Sequence, residues 1–149
     1  MDGYNDAIFV VVDKLTKMAH FAACKKCIST KEIARLFIST AVRLHGIPFA
    51  IISDRDTKFT INFWHNLWDQ FGTRLQFSSA YHPKTDGQIE RANQRMEQLI
   101  RTTCDDMADW EQQLSLIEFV CNNASSATTR QSPFYMNYGE NPTIPITPN

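Results

Sequence analysis

Two acidic residues, Asp54 and Glu90, have the spacing and surroundings of metal-binding carboxylates. Asp54 follows the apolar run "FAIIS", Glu90 lies in a helical pattern after the polar loop "SAYHPKTDG", and 35 residues, 55–89, separate the two. Carboxylates are common ligands of Mg²⁺, and two metals about 4 Å apart can activate a water or hydroxyl for phosphoryl transfer. The pair predicts such a site. The alternative is that Asp54 caps a turn and Glu90 is a solvated helix residue.

The segments before Asp54 predict a hairpin, a helix and a strand. Residues 7–13 ("AIFVVVD") and 17–23 ("KMAHFAA") have the composition of strands, and the three residues between them predict a tight connection. Ser29 with Glu32 forms a capping-box pattern, and "HGIP" stops the helix. The next strand, "FAIIS", brings Asp54 to its carboxyl end, where open α/β sheets place ligand sites.

Helices dominate the second half of the chain. An aromatic stripe in residues 64–71 predicts a helix with a core-facing side, and residues 74–78 ("RLQFS") predict a short strand. Thr85, with a glutamine at the capping-box position, predicts the start of the helix that carries Glu90. Asp109 predicts the start of a further helix.

Order and composition indicate one globular domain. The alternation of strands and helices predicts an α/β layer fold, with the domain in residues 1–140 and an extended tail in 141–149. The 149 residues are 43% hydrophobic and 21% charged, as in soluble domains, and no apolar run is long enough to span a membrane. The four cysteines and the lack of a secretory signal favour an intracellular setting. With a net charge of −1, any contact with nucleic acid must be local or metal-assisted.

Four stretches carry a resemblance to a known family. They are "AIFVVVDKLTKMAHF", "RLHGIPFAIISDRDTKF", "FWHNLWDQFGTRLQFSSAYHPKTDGQIERANQRMEQLIR" and "SPFYMNYGENP". Together they resemble the catalytic core of a retroviral-type integrase, specifically that of a gypsy-type LTR retrotransposon. The resemblance covers nearly the whole chain, and the 35-residue gap is the family's spacing.

The resemblance implies a fold, a reaction and partners. The fold would be ribonuclease-H-like with three layers, and an Asp-Asp-Glu triad would bind two Mg²⁺ or Mn²⁺ ions. Asp54 matches the second acid and Glu90 the third. The implied reaction is trimming of the element's DNA ends, followed by attack of the 3′-hydroxyl on target DNA. The implied partner is DNA, with a homo-multimer acting in the nucleus and no small-molecule substrate. Lys84 and Ile89 depart from the family's usual Gln and Thr.

The family's first acid has no clear counterpart. In the family it lies on a strand that precedes the hairpin, but only four residues separate Asp2 from Ala7, too few for a strand and its turn. We therefore expect a core that lacks the first, central strand, is incomplete at its N-terminus and has weak catalysis. Asp2 is the alternative first ligand, and Asp6 and Asp13 are expected to serve strand-end structure.

Basic residues near Glu90 are candidates for DNA contacts. Lys84, Arg91 and Arg95 would touch phosphates, which position DNA without reading its sequence, and His82 would contact DNA or orient a water. In the alternative, the basic residues pair with acids on a wet surface and His82 has a structural role in its loop.

The sequence also leaves other functions open. A zinc site at Cys24, Cys27 and His20 would have fewer than the four ligands of a tetrahedral centre. The chain could also be a catalytically dead, domesticated module that binds DNA or protein, or a retroelement relic without function. Metal-dependent activity that depends on Asp54 separates the enzyme from the module.

Overall fold

The computed structural model of the chain describes residues 3–48, 50–53, 74–77, 83–104 and 109–144. The hairpin comes first, with β1 (Ala7–Val12) antiparallel to β2 (Ala19–Cys24). Val12 pairs with Ala19 at the turn, and Ala7 pairs with Cys24 at the open end. The predicted hairpin is confirmed.

The hairpin turn is longer than predicted. Six residues, not three, lie between the strands, because the Asp13 side chain organises a wider turn. Its Oδ1 accepts hydrogen bonds from the N–H groups of Leu15 at 2.7 Å and Thr16 at 2.8 Å. Lys17 then adopts a left-handed conformation with φ of 64°.

The first helical segment begins with the predicted capping box. Ser29 Oγ accepts from the N–H of Glu32 at 3.3 Å, and Glu32 Oε2 accepts from the N–H of Ser29 at 2.9 Å. The helix α1 (Thr30–Phe37) continues into a π-helical turn (Ile38–Val42) and α2 (Arg43–His45). The chain leaves α2 at Gly46, whose φ of 79° suits glycine.

The π-helical turn was not predicted. Ser39 and Thr40 both donate side-chain hydrogen bonds to the Leu36 carbonyl, at 3.0 Å and 2.6 Å. Hydroxyls that bond to carbonyls of the preceding turn compete with the regular helical pattern, and such competition leaves little trace in a pattern of apolar residues.

The next strands form a separate parallel pair. β3 (Ala50–Ser53) pairs with β4 (Arg74–Phe77), with Ala50 opposite Arg74 and Ser53 opposite Phe77. Within the described residues, the hairpin and this pair are two distinct two-stranded sheets. Both strands were predicted, whereas the predicted helix in residues 64–71 lies outside the described residues.

Three helices complete the described part of the chain. They are α3 (Pro83–Thr103), α4 (Trp110–Asn123) and α5 (Pro133–Tyr138). The predicted start of α3 at Thr85 was wrong, because proline fits the first turn of a helix and α3 begins with it. The start of α4 after Asp109 is confirmed. α5 was not predicted; the Ser132 hydroxyl caps it by accepting from the N–H of Tyr135 at 3.1 Å.

The helices cover both faces of the hairpin. Alternate residues of a strand point to opposite faces, so Phe9 and Val11 pack against α1 while Ile8, Val10 and Val12 pack against α3 and α4. The result is three layers, with the hairpin between α1 and the α3–α4 pair. No helix in the described part of the chain is both long and apolar enough to cross a bilayer.

Candidate active site

The carboxyl end of β3 leads to the first predicted acid. β3 ends at Ser53, opposite Phe77 of its parallel neighbour, and Asp54 is the next residue in the chain. Asp54, His82 and Asp2 lie outside the described residues. Lys84 belongs to the first turn of α3, and the structure describes its backbone only.

Glu90 occupies an open position on α3. It is the eighth residue of the helix, about two turns from its start at 3.6 residues per turn. The side chain is exposed, and no described basic side chain forms an ion pair with it. Its carboxylate is therefore available to an external cation or ligand.

Asn93 lies one turn after Glu90 on the same side of α3. Its Oδ1 is buried, with no hydrogen-bond partner among the described residues. A buried polar oxygen without a partner is unusual and calls for an explanation. Sequence reasoning missed Asn93 because it is one of many polar residues in this helix, and only its burial distinguishes it.

The oxygen donors at this position suit a hard divalent cation. Mg²⁺ takes oxygen ligands and keeps several waters, so a carboxylate with an amide oxygen nearby is a fitting partial set. Among the residues that the structure describes, no group of three or more His, Cys, Asp or Glu side chains could hold a metal ion. Asp54, the partner that the sequence predicts for Glu90, lies outside these described residues.

Arg91 and Arg95 lie on a different side of α3 from Glu90. At ~100° per residue they stand roughly 100° and 140° around the helix axis from the acid. Both line a cleft together with Lys17 of the hairpin turn. The alternative interpretation pairs these arginines with surface acids; among the described carboxylates, none forms an ion pair with either arginine.

The histidine of the alternative zinc site is engaged in a polar network. His20 Nδ1 lies 2.9 Å from Glu118 Oε1, and His20 Nε2 lies 2.7 Å from His45 Nε2. Burial lowers the pKa of His45, and the neighbouring His20 lowers it further. Cys24 is buried whereas Cys27 is exposed, and among the described residues the two do not form a metal-binding group with His20. The arrangement fits a structural role for His20.

Asp6 and Asp13, the described acids near the N-terminus, accept hydrogen bonds from backbone N–H groups. Asp6 Oδ1 accepts from the N–H of Lys26 at 2.7 Å, and Asp13 organises the hairpin turn. The predicted strand-end role of both residues is confirmed.

Comparison with solved structures defines the fold class. The HTLV-2 integrase catalytic core domain in complex with magnesium superposes with a TM-score of 0.72 at 16% identity, over 88% of this chain and 84% of that one. A chain of the simian T-cell lymphotropic virus intasome in complex with PP2A regulatory subunit B56 gamma gives a TM-score of 0.70 at 17% identity, over 95% of this chain and 51% of that one. The chain therefore has the ribonuclease-H-like fold of retroviral integrase catalytic cores.

Sequence relatives narrow the class. The Transposon Tf2-3 polyprotein of Schizosaccharomyces pombe is 37% identical over 143 residues, which are 95% of this chain and 11% of that polyprotein. No protein-family model matches the chain. Fold and relatives together identify the chain as an integrase core domain of an LTR retrotransposon. It spans about a ninth of the polyprotein that it matches.

Proposed function

We propose that this core binds DNA, trims the 3′ ends of its element and joins them to target DNA in the nucleus. The observation that carries the proposal is Glu90, exposed and without a described ion-pair partner on α3 of an integrase-core fold. The 35-residue spacing to Asp54 supports it. Neighbours described as trimeric and dimeric integrase cores support a homo-multimer.

Asp54 and Glu90 would hold the divalent metal, Mg²⁺ or Mn²⁺. A neighbour is described in complex with magnesium, which supports this assignment. When bound, such a cation would polarise phosphoryl oxygens and lower the pKa of the attacking hydroxyl. Asn93, one turn from Glu90, would orient the carboxylate or a water beside it. His82, Lys84, Arg91 and Arg95 would contact DNA, and the domain would comprise residues 1–140 with a tail at 141–149.

Glu90→Gln tests the proposal, with Glu97→Gln as the matched control. Glu97 is an exposed glutamate two turns further along the same side of α3. End trimming and strand transfer are measured on labelled duplexes with Mg²⁺, Mn²⁺ or EDTA. We expect Glu90→Gln to lower metal-dependent product more than about 100-fold, as expected for loss of a metal ligand, and Glu97→Gln to leave it unchanged.

Mn²⁺ binding gives a second readout when turnover is weak. Water proton relaxation reports the bound ion, and we expect Glu90→Gln and Asp54→Asn each to weaken its binding. Full activity or unchanged Mn²⁺ binding in Glu90→Gln would contradict the proposal. DNA binding without metal-dependent product in the unmodified chain would instead favour a DNA-binding module without catalysis.

A further inference from the structure

A basic cleft lies on the side of α3 that does not carry Glu90. This basic cleft is a space of about 120 Å³ between the hairpin turn, α3 and the loop from α4 to α5. Its cations are Lys17, Arg91 and Arg95, and Ser126 and Thr128 of the loop also line it. A site for one water needs only ~10–15 Å³, so the basic cleft has room for a polyatomic ligand.

The cations of the basic cleft form no direct ion pair within the described part of the protein. No described carboxylate lies within ion-pair distance of Lys17, Arg91 or Arg95. Burial lowers the pKa of Lys17; Asp13 opposes this effect, while Lys14 and Arg91 add to it. Lys17 and Arg91 are thus close enough to repel each other. The Asp13 carboxylate offsets part of this repulsion at Lys17, and a bound anion would relieve the rest.

Rigid local structure holds the cleft open at two walls. The turn that displays Lys17 is fixed by the Asp13 side chain and by the hydrogen bond from Lys17 N–H to the Asp13 carbonyl at 2.9 Å. The loop that forms the second wall is fixed by two backbone hydrogen bonds. The N–H of Ser126 donates to the Gln131 carbonyl at 3.0 Å, and the N–H of Arg130 donates to the Ser126 carbonyl at 2.8 Å. A ligand would meet a wall that is already formed, which lowers the entropy cost of binding.

The two arginines are spaced to share one ligand. Arg91 and Arg95 lie one turn apart on α3, and side chains four residues apart are neighbours on a helix surface. Guanidinium groups match the oxygens of a phosphate through paired donors. Lys17 adds a point charge from the opposite wall, where its ammonium donates one hydrogen bond to the Lys14 carbonyl and has two further protons to donate. Hydroxyl groups of the loop supply neutral donors. The set fits a tetrahedral oxyanion.

We propose that the basic cleft binds one backbone phosphate of DNA, at a point separate from the Glu90 carboxylate. The inference rests on the proposed DNA-integrating function and extends it. Because Glu90 and the arginines diverge by about 100° or more around α3, the phosphate in the cleft is not the one that reacts. The cleft fixes the position of the duplex without reading its sequence.

The salt dependence of DNA binding tests the inference. Fluorescence anisotropy of the full chain with a labelled duplex is measured from low to moderate salt, for the unmodified chain and for Arg91→Ala with Arg95→Ala. Each phosphate contact contributes a slope of about 0.9 in log affinity against log salt. We expect the double variant to bind roughly tenfold more weakly, equally for duplexes of different sequence, with a slope smaller by about 0.9.

Two further variants separate charge from structure. Arg101→Ala removes an exposed arginine of the same helix that does not line the cleft, and we expect it to keep the slope. Arg95→Lys keeps the positive charge, so its slope should stay close to that of the unmodified chain. Lys17→Gln, on the turn rather than the helix, should lower the slope as well and covers the case in which the arginine variant loses its fold.

Each outcome decides one proposal. An unchanged slope in folded Arg91→Ala with Arg95→Ala, or in Lys17→Gln, would overturn the phosphate site while leaving the Glu90 experiment intact. Stabilisation of the unmodified chain by inorganic phosphate without any change in DNA slope would also overturn it, in favour of a small oxyanion. An unmodified chain that binds no DNA at all would overturn the proposed function itself.

Discussion

Polar side chains in two regions of this core have opposite surroundings. On β2, polar side chains of α4 are buried or half-buried and hydrogen-bonded to the strand. Asn122 accepts from the Ala19 N–H and donates to the Ala19 carbonyl, both at 2.8 Å, and Glu118 Oε2 accepts from the Phe21 N–H at 2.8 Å. On α3, the charges of Glu90, Arg91 and Arg95 are exposed and have no described ion-pair partner.

The difference separates side chains that maintain the fold from those available to ligands. The edge of a sheet presents unpaired N–H and carbonyl groups, and on β2 the side chains of Glu118 and Asn122 take the place of a further strand. We name these two residues with His20 the β2 clamp. A clamp variant should therefore lower the free energy of unfolding, and a variant on α3 should change ligand binding with little effect on that energy.

Glu118→Ala should have the largest effect on stability. The substitution leaves His20 Nδ1 and the Phe21 N–H without their acceptor, and a buried donor without a partner is costly. We expect the free energy of unfolding to fall by roughly 3 kcal/mol, measured by urea denaturation followed by circular dichroism. Ser115→Ala, exposed on the same helix, is the control and should differ little. An equal loss in both variants would contradict the role of the β2 clamp.

Asn122→Ala should have the next largest effect. It removes two buried hydrogen bonds to Ala19, and with them the partners of a strand N–H and carbonyl. We expect a loss of about 2 kcal/mol in the same measurement. Gln112→Ala changes an exposed amide near the start of α4 and should cost much less. A neutral Asn122→Ala would mean that water replaces the amide without penalty.

The clamp also marks a limit of prediction from this sequence. Local signals such as the Ser29 capping box, the β-branched run of β1 and the stop at Gly46 depend on near neighbours, and these elements were predicted. Asn122 and Ala19 are separated by 103 positions. The spacing of apolar residues does not predict that an asparagine side chain will form hydrogen bonds with the edge of a strand.

The candidate site divides in the same way. Asp54 and Glu90 were predicted from residue types and their spacing, and Glu90 is found exposed on its helix. The angles that separate Arg91 and Arg95 from Glu90 follow from helix geometry, whereas the side of α3 that packs against the protein depends on tertiary contacts. Lys17 comes close to these arginines only through tertiary structure. The missing hydrogen-bond partner of Asn93 Oδ1 is likewise seen only in the folded chain.

Lowering the pH should have a smaller effect on stability, through His45, which contacts His20 of the β2 clamp. The pKa of His45 is lowered in the folded state, chiefly by burial and next by His20. The unfolded chain, with a value near 6.5, then binds the proton more tightly, so stability is lost as pH falls below about 6.5. We expect a modest decline in the midpoint of urea unfolding between pH about 7.5 and 5.5. His45→Asn should show a weaker decline, and an equal one in both proteins would assign the effect to other groups.

Asn93→Ala is expected to change stability least, and it is the sharpest comparison between the two regions. The Oδ1 of Asn93 has no hydrogen-bond partner among the described residues, so its removal leaves no described group unpaired. We expect a change within about 0.5 kcal/mol in the free energy of unfolding. Because Asn93 stands beside Glu90, metal-dependent product should still fall by about 10–100-fold, as for a residue that orients a metal ligand. A loss of stability as large as that of Asn122→Ala, with activity retained, would place Asn93 with the side chains that maintain the fold.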